Sequence, residues 1–322
     1  MRIALHVPFG AEAFVAALRE IPGAAPVVAT TKEELSAALA SADALAVMAS
    51  LYDQETADAV AAAPRLRWIH FVSSGVDPLL RFPPPAGVAI TNSAAAWAPT
   101  VAEHAVTLLS ALLRQLPAAV AAQRERRWAA ADLRPRLRSL EASTIVLLGF
   151  GAIGQAIARR LKAFDAHVIA VARTRRSHAD VDEFATVEAL DEVLPRADAL
   201  VAVLPSTPAT RGLLDAERLA RLPRGALVVN VGRGDTIVQD ALIAALADGG
   251  LGGAALDVFE REPVPADSPV WTAPNLIVTP HLAGIGSRAL AGRLAAVCAD
   301  NARRAVKGRP FATPVETSTL GG

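Results

Sequence analysis

The segment ASTIVLLGFGAIGQAIARRLKAF, residues 142–164, decides the fold. Its opening is an unbroken apolar run, which is what a strand buried on both faces presents. From 152 to 164 the apolar residues fall at helical spacing, with Arg159, Arg160 and Lys162 between them. At the join, Gly149-Phe150-Gly151-Ala152-Ile153-Gly154 fits the spacing G-x-G-x-x-G. It follows a strand and opens a helix, the setting a dinucleotide-binding turn requires. Gly149 permits the tight turn, Gly151 lets the backbone approach a pyrophosphate, and Gly154 lets helix and sheet pack closely. The free N–H groups and dipole of the helix N-terminus favour the anion.

Outward from that unit the α/β pattern continues. Strands are expected at 166–173, 198–205, 225–231, 251–259 and 275–281, with a short helix at 191–197. Upstream, 2–7, 43–49, 66–72 and 88–92 read as strands, and 31–41 and 54–63 as helices, the first capped by Thr31. A long apolar helix is expected at 99–116, with Pro99 in its first turn, and another at 285–308. The Arg-rich stretch 123–141 reads as part helix, part surface loop. The class is α/β with parallel sheets. The expected division is a first domain segment at 1–96, a dinucleotide-binding domain at 97–284, and a returning helix and tail at 285–322.

Composition narrows the partners. The 322 residues are 52% hydrophobic, and 32 Lys+Arg balance 32 Asp+Glu. No basic excess exists to hold a phosphate backbone, so nucleic acid is not expected. The one cysteine, Cys298, excludes an internal disulfide and a thiol metal site, and no metal is expected. No membrane span or signal peptide is read, and a reducing cytoplasm is the expected location.

After the second strand of the dinucleotide unit, an NAD site usually places an acid on the ribose hydroxyls. Here the chain reads Ala172-Arg173-Thr174-Arg175-Arg176. A guanidinium pairs with a 2′-phosphate where a carboxylate repels it, so NADP is expected, with NAD possible. Asp180 and Asp182 lie further on and are poor substitutes. Hydride transfer to a carbonyl also needs a proton donor, and an anionic substrate needs a fixed cation. Arg233 sits between Gly232 and Gly234, Glu262 lies in DVFEREP (257–263), and His281 closes LIVTPH. A carboxylate beside the histidine fixes its tautomer and steadies the ring when it carries the proton. Among the other histidines, His104 beside Glu103 in the long helix is the next candidate.

Seven motifs in order resemble the D-isomer-specific 2-hydroxyacid dehydrogenase family over nearly the whole chain: SSGVD (73–77), VAEHAVTLLSALLR (101–114), LLGFGAIGQAIARRLKAF (147–164), LPSTPATRGLL (204–214), VNVGRG (229–234), AALDVFEREP (254–263) and NLIVTPHLAG (275–284). The resemblance implies two Rossmann-like or flavodoxin-like domains, the cofactor domain inserted into the substrate domain. It gives Arg233 the substrate carboxylate and carbonyl, His281 the acid/base role and Glu262 its support. Asp257 falls on the nicotinamide amide, and the backbone of Ser74, Gly75 and Val76 on the substrate carboxylate. Leu204, Pro205, Thr207 and Pro208 border the cofactor cleft, together with Val231 and Gly232. A homodimer is implied.

Arg173 in place of the NAD-selecting acid resembles the glyoxylate and hydroxypyruvate reductases that use NADPH. Where phosphoglycerate enzymes carry an arginine, residues 48–50 read MAS. The glycine usual before the first cofactor strand is Ala142. The expected reaction is NADPH-dependent reduction of a small 2-oxo acid. The alternatives are an NAD-dependent D-2-hydroxy acid dehydrogenase acting on a larger acid, and a non-catalytic dinucleotide-responsive binding protein or co-repressor.

Overall fold

The computed structural model describes residues 1–174 and 176–315. The chain divides into two compact units, Met1–Trp97 with the segment from Gly286, and Ala98–Ile285. In the first unit the order is β1 (Arg2–His6), α1 (Ala11–Arg19), β2 (Ala25–Val28), α2 (Lys32–Leu39), β3 (Ala44–Val47), α3 (Gln54–Ala61), β4 (Trp68–Phe71) and β5 (Ala89–Asn92). Next comes α4 (Ala94–Leu113), which crosses the unit boundary. The second unit continues with α5 (Leu116–Arg124), α6 (Ala130–Leu133), β6 (Thr144–Leu148), α7 (Ala152–Lys162), β7 (His167–Ala172), β8 (Glu183–Thr186), α8 (Leu190–Val193), β9 (Ala199–Ala202), α9 (Ala216–Arg221), β10 (Ala226–Asn230), α10 (Gln239–Ala247), β11 (Leu251–Leu256) and β12 (Leu276–Val278). Helix α11 (Leu290–Val306) then belongs to the first unit.

Both sheets are parallel throughout, ordered β2-β1-β3-β4-β5 and β12-β11-β10-β9-β6-β7-β8. This is the expected α/β class with two Rossmann-like domains. In the second sheet the chain runs outward from β6 through β7 to β8, then returns to β9 on the other side. The reversal makes β6/β9 a topological switch point, and in such sheets ligands bind beyond the carboxyl ends of the strands there. The central strands are fully buried: Ile145 to Leu148, Val168 to Val171 and Ala199 to Ala202 are at most 1% exposed. Apolar residues of α8, α9 and α10 (Leu190, Leu219 and Leu242) close over one face of this sheet.

Several elements differ from the sequence reading. Strands β2 and β8 and helices α1, α9 and α10 were not expected. β2 and β8 lie at sheet edges and are half-exposed: β8 carries Glu183 and no apolar run, and a proline interrupts the apolar stretch of β2. Pro26 in β2 has no N–H to donate, which an edge strand tolerates. Helix α4 begins at Ala94, so Pro99 lies inside it rather than in its first turn. The Ala96 carbonyl near this proline accepts from Arg293 Nε at 2.9 Å. Helix α11 begins only at Leu290, because Gly286 at φ +104° holds the preceding segment out of helical conformation. Ala142 takes φ +58°, the left-handed conformation that a glycine would adopt freely. No single helix among the described residues is long and apolar enough to cross a membrane.

Candidate active site

The turn after β6 is shaped by its glycines. Gly149 has φ +107°, and a Cβ there would stand 3.0 Å from the Val203 carbonyl oxygen, at the end of β9. A Cβ on Gly154 would overlap the carbonyl oxygen of Gly149, so the first turn of α7 packs directly on the loop. Gly151 differs: a Cβ there meets nothing within 4 Å. Gly151 also caps α7 without any side-chain hydrogen bond to the helix amides. An open, uncapped helix N-terminus at the switch point fits the pyrophosphate of a dinucleotide. Ala152 and Ile153 form the first turn above it, and Phe150 is buried with its ring edge-on to His178 and Phe184, 5.2 and 5.0 Å between centroids.

Beyond β7, Arg173, Thr174 and Arg176 are exposed, and Arg176 Nε donates to Thr174 Oγ1 at 3.5 Å. Arg175 lies outside the described residues. Asp182 accepts from the Val168 amide at 2.8 Å and from Lys162 Nζ at 2.9 Å. Val168 stands at the amino end of β7, away from the strand end where a ribose would be read. Burial pushes the Asp182 carboxyl up, but the Val168 amide and Lys162 hold it below the usual carboxylate range. Asp180 lies 3.7 Å from His178.

The loop after β9 is fastened to the turn after β10. Val231 N donates to Ala202 O at 3.1 Å, and a Cβ on Gly232 would stand 2.7 Å from the Leu204 amide nitrogen. Thr210 Oγ1 donates to Pro205 O at 2.6 Å and accepts from Thr207 N at 2.9 Å, closing the 205–210 stretch around Pro208. Asn230, buried at the end of β10, accepts from Gly232 N at 3.0 Å and donates to Arg233 O at 2.9 Å. These bonds set the backbone of Arg233, whose Nη1 also donates to Gly232 O at 2.8 Å. A Cβ on Gly234 would overlap the Phe259 backbone, so only glycine lets the arginine turn lie against the chain leaving β11.

That chain carries Glu262. Its Oε1 accepts from Phe259 N at 2.9 Å, and its Oε2 lies 2.6 Å from His281 Nδ1. With the carboxylate as acceptor, Nδ1 bears the hydrogen and Nε2 is the nitrogen left for proton exchange. His281 and Glu262 side chains are 53% and 34% exposed, so the pair is open to solvent rather than sealed. Contacts therefore run in sequence from Arg233 through Gly234, Phe259 and Glu262 to His281, bringing together the three residues expected to carry the chemistry.

His281 lies beyond the end of β12, not at it, and takes φ +54°. A left-handed non-glycine residue costs roughly 1–2 kcal/mol and persists where its surroundings over-determine it. Asp257 supplies that determination. Its backbone oxygen accepts from His281 N, its Oδ1 from Leu282 N and its Oδ2 from Ala283 N, each at 2.9 Å. Thr279 Oγ1 also donates to Oδ1 at 2.6 Å. Asp257 is 1% exposed. Burial pushes its carboxyl up, but hydrogen bonds from His104, Thr279, Ala283 and Leu282 outweigh burial and hold it below the usual range. The carboxylate assigned by resemblance to the nicotinamide amide is thus bonded on both oxygens to the loop that carries His281.

In the first unit, two carbonyls of the loop after β4 are taken up by side chains. Asn92 Nδ2 donates to Ser74 O at 2.9 Å and Ser73 Oγ to Gly75 O at 2.7 Å. Among the described residues, no acceptor is bonded by the Gly75 and Val76 amides, which leaves them as donors for an anion. Asn230 and Thr279 stand inside the motifs VNVGRG and NLIVTPHLAG, where sequence alone assigns neither a role. The signal available for Asn230 was a single amide side chain closing the run ALVVN.

A family model described as D-isomer specific 2-hydroxyacid dehydrogenase, NAD binding domain, matches residues 106–283. The D-3-phosphoglycerate dehydrogenase of Mycobacterium bovis is 34% identical over 282 residues, covering 86% of this chain and 52% of that protein. The chain thus spans about half the length of the curated relatives it matches. Among solved structures, the D-isomer specific 2-hydroxyacid dehydrogenase from Xanthobacter autotrophicus, in complex with NADPH and MES, is 30% identical with a TM-score of 0.83, covering 98% of each chain. The NADPH-dependent glyoxylate/hydroxypyruvate reductase from Sinorhizobium meliloti, in complex with NADP and sulfate, is 29% identical with a TM-score of 0.84, covering 99% of each chain.

Proposed function

The chain belongs to the D-isomer specific 2-hydroxyacid dehydrogenase family, and on that premise we propose that it reduces a small 2-oxo acid of the glyoxylate or hydroxypyruvate class with NADPH. The observation that carries the chemistry is the His281 Nδ1–Glu262 Oε2 pair at 2.6 Å, which leaves Nε2 as the exchanging nitrogen. The choice of NADPH rests on the end of β7, where Arg173 stands in place of an acid and Asp182 is committed elsewhere. The bound dinucleotide supplies the hydride. The amides at the α7 N-terminus hold its pyrophosphate. Arg233 pairs with the substrate carboxylate and polarises the carbonyl, as a planar guanidinium does well. Protonated His281 gives its Nε2 proton to the carbonyl oxygen as that oxygen gains charge, and Glu262 stabilises the imidazolium beforehand. The reverse direction uses the same groups, with neutral Nε2 as base.

The relatives named D-3-phosphoglycerate dehydrogenase give a specific observation for a second reading, an NAD-dependent enzyme of a larger acid. Steady-state assays with glyoxylate, hydroxypyruvate and phosphohydroxypyruvate, each with NADPH and with NADH, separate the two. Faster turnover of the unphosphorylated acids with NADPH is expected. Faster turnover of the phosphorylated acid with NADH transfers the assignment to the second reading, and no turnover of any pair overturns both.

A further inference from the structure

Helix α4 contributes a side chain to the loop that carries His281. His104 Nε2 lies 3.1 Å from Thr279 Oγ1 and 3.4 Å from Asp257 Oδ1. The threonine has one hydroxyl hydrogen, and it goes to Asp257 Oδ1 at 2.6 Å. The remaining bond therefore has His104 Nε2–H as donor and the threonine oxygen as acceptor. A directed chain results, from His104 to Thr279 to Asp257, and Asp257 then receives the amides of Leu282 and Ala283. Linked hydrogen bonds polarise one another, so each donor strengthens the next acceptor. Among the described residues no Lys or Arg pairs with Asp257, and its buried charge is met by these donors.

We infer that His104 is a positioning residue: through Thr279 and Asp257 it holds the 279–283 loop so that His281 keeps its left-handed backbone and presents Nε2 to the reacting carbonyl. This rests on the acid/base role given to His281 above. Its effect falls on the proton-transfer step and not on dinucleotide binding. Misplacement of a reacting group by about an ångström lowers rate by up to about 100-fold.

Three single variants, one double variant and three readouts test it. His104→Leu removes the donor, His104→Gln restores an N–H at a similar reach, and Thr279→Val removes the link. His104→Leu and Thr279→Val are each expected to lower kcat about 10- to 100-fold, with NADPH affinity, read by its fluorescence on binding, changed by less than about twofold. His104→Gln is expected to recover most of kcat. The double variant is expected to lose no more than the worse single one, because the two residues act in one chain. Independently of turnover, amide exchange at Leu282 and Ala283 is expected to quicken at least about tenfold in His104→Leu while exchange in β6 is unchanged. Unchanged exchange in the loop overturns the inference, as does equal loss in the Leu and Gln variants or additive loss in the double variant. A wild-type chain with no turnover on any acid, but with the exchange effect intact, overturns the proposed reaction and leaves the tether standing.

Discussion

Exchanging Glu262 for glutamine tests the centre of the site, because the two groups are nearly the same size and differ in acceptors. Glu262 has two acceptor oxygens in use, one for Phe259 N at 2.9 Å and one for His281 Nδ1 at 2.6 Å. An amide has one. If it faces His281, its NH2 meets the Phe259 N–H; if it faces Phe259, its NH2 meets Nδ1 and drives the ring into the tautomer with Nε2–H. The first orientation loses the Phe259 bond, the second cannot accept from the Nδ1–H of the protonated ring, and in both the protonated ring loses its counter-charge. A hydrogen bond to a charged group contributes about 1.5–3 kcal/mol. Both side chains are around one-third exposed or more, so solvent screens part of that and the lower end applies. About 1.5 kcal/mol corresponds to roughly a tenfold loss in rate. Glu262→Gln should therefore lower kcat for glyoxylate reduction about tenfold or somewhat more, followed at the nicotinamide absorbance, with the KM for NADPH within about twofold. A variant with wild-type kcat would falsify the assignment of Glu262 as the group that orients and charges His281.

Arg173→Ser should raise the KM for NADPH about tenfold and leave that for NADH within about twofold, since a guanidinium–phosphate bond to an exposed site sits at the low end of charge-assisted energies; equal effects on both cofactors remove the basis for NADP. His70, wholly buried between Thr91 Oγ1 at 2.7 Å and Ser93 Oγ at 2.9 Å, is held neutral by burial, its pKa pushed down to about 3 from 6.5. The unfolded chain takes up this proton first as the medium is acidified. Stability is thus complete above about pH 6.5 and is lost as pH falls toward 3, by about 2 kcal/mol at pH 5. Ring-nitrogen NMR that finds His70 titrating near pH 6 contradicts this. Ala142→Gly should raise stability by about 0.5–1 kcal/mol, relief of the left-handed strain at φ +58° exceeding the added chain entropy, and a thermal midpoint that falls rejects it.

The parts of the fold that sequence made legible are those whose cause is local. A strand buried on both faces must be apolar throughout, so β6, β7, β9 and β10 announce themselves in TIVLL, HVIAVA, ALVA and ALVVN. Edge strands have one neighbour and a solvated side: Pro26 interrupts β2 and Glu183 opens β8, whereas the edge strand β12 keeps the apolar run LIV and is legible. The site divides in the same way. Gly149, Gly151 and Gly154 are legible because one turn needs all three within six residues. Arg233, Glu262 and His281 are legible because each follows a strand. The web around Asp257 is not, since Thr279 lies 22 positions away and His104 stands 175 positions from Thr279. Only folding brings these together, and no spacing rule within one element encodes them.

Two non-glycine residues with nearly the same strained backbone show what separates a site from a defect. Ala142 at φ +58° is exposed, and its own amide is held by one backbone bond, to Asp165 O at 3.1 Å. Nothing around it needs the methyl group, so glycine serves as well. His281 at φ +54° is held by its amide and by the next two amides, all on Asp257, and its ring is fixed by Glu262. Burying an aspartate whose carboxylate secures two consecutive backbone amides, while its backbone oxygen secures the one before them, is a large electrostatic commitment, and a loop that merely connected β12 to α11 would not require it. The strain at His281 is retained because left-handed backbone at that position sets where the imidazole stands relative to Glu262 and to the turn of Arg233. Geometry of that kind is what proton transfer to a carbonyl oxygen demands, and under the proposed function it is why the loop, rather than the strand before it, carries the residue assigned that proton.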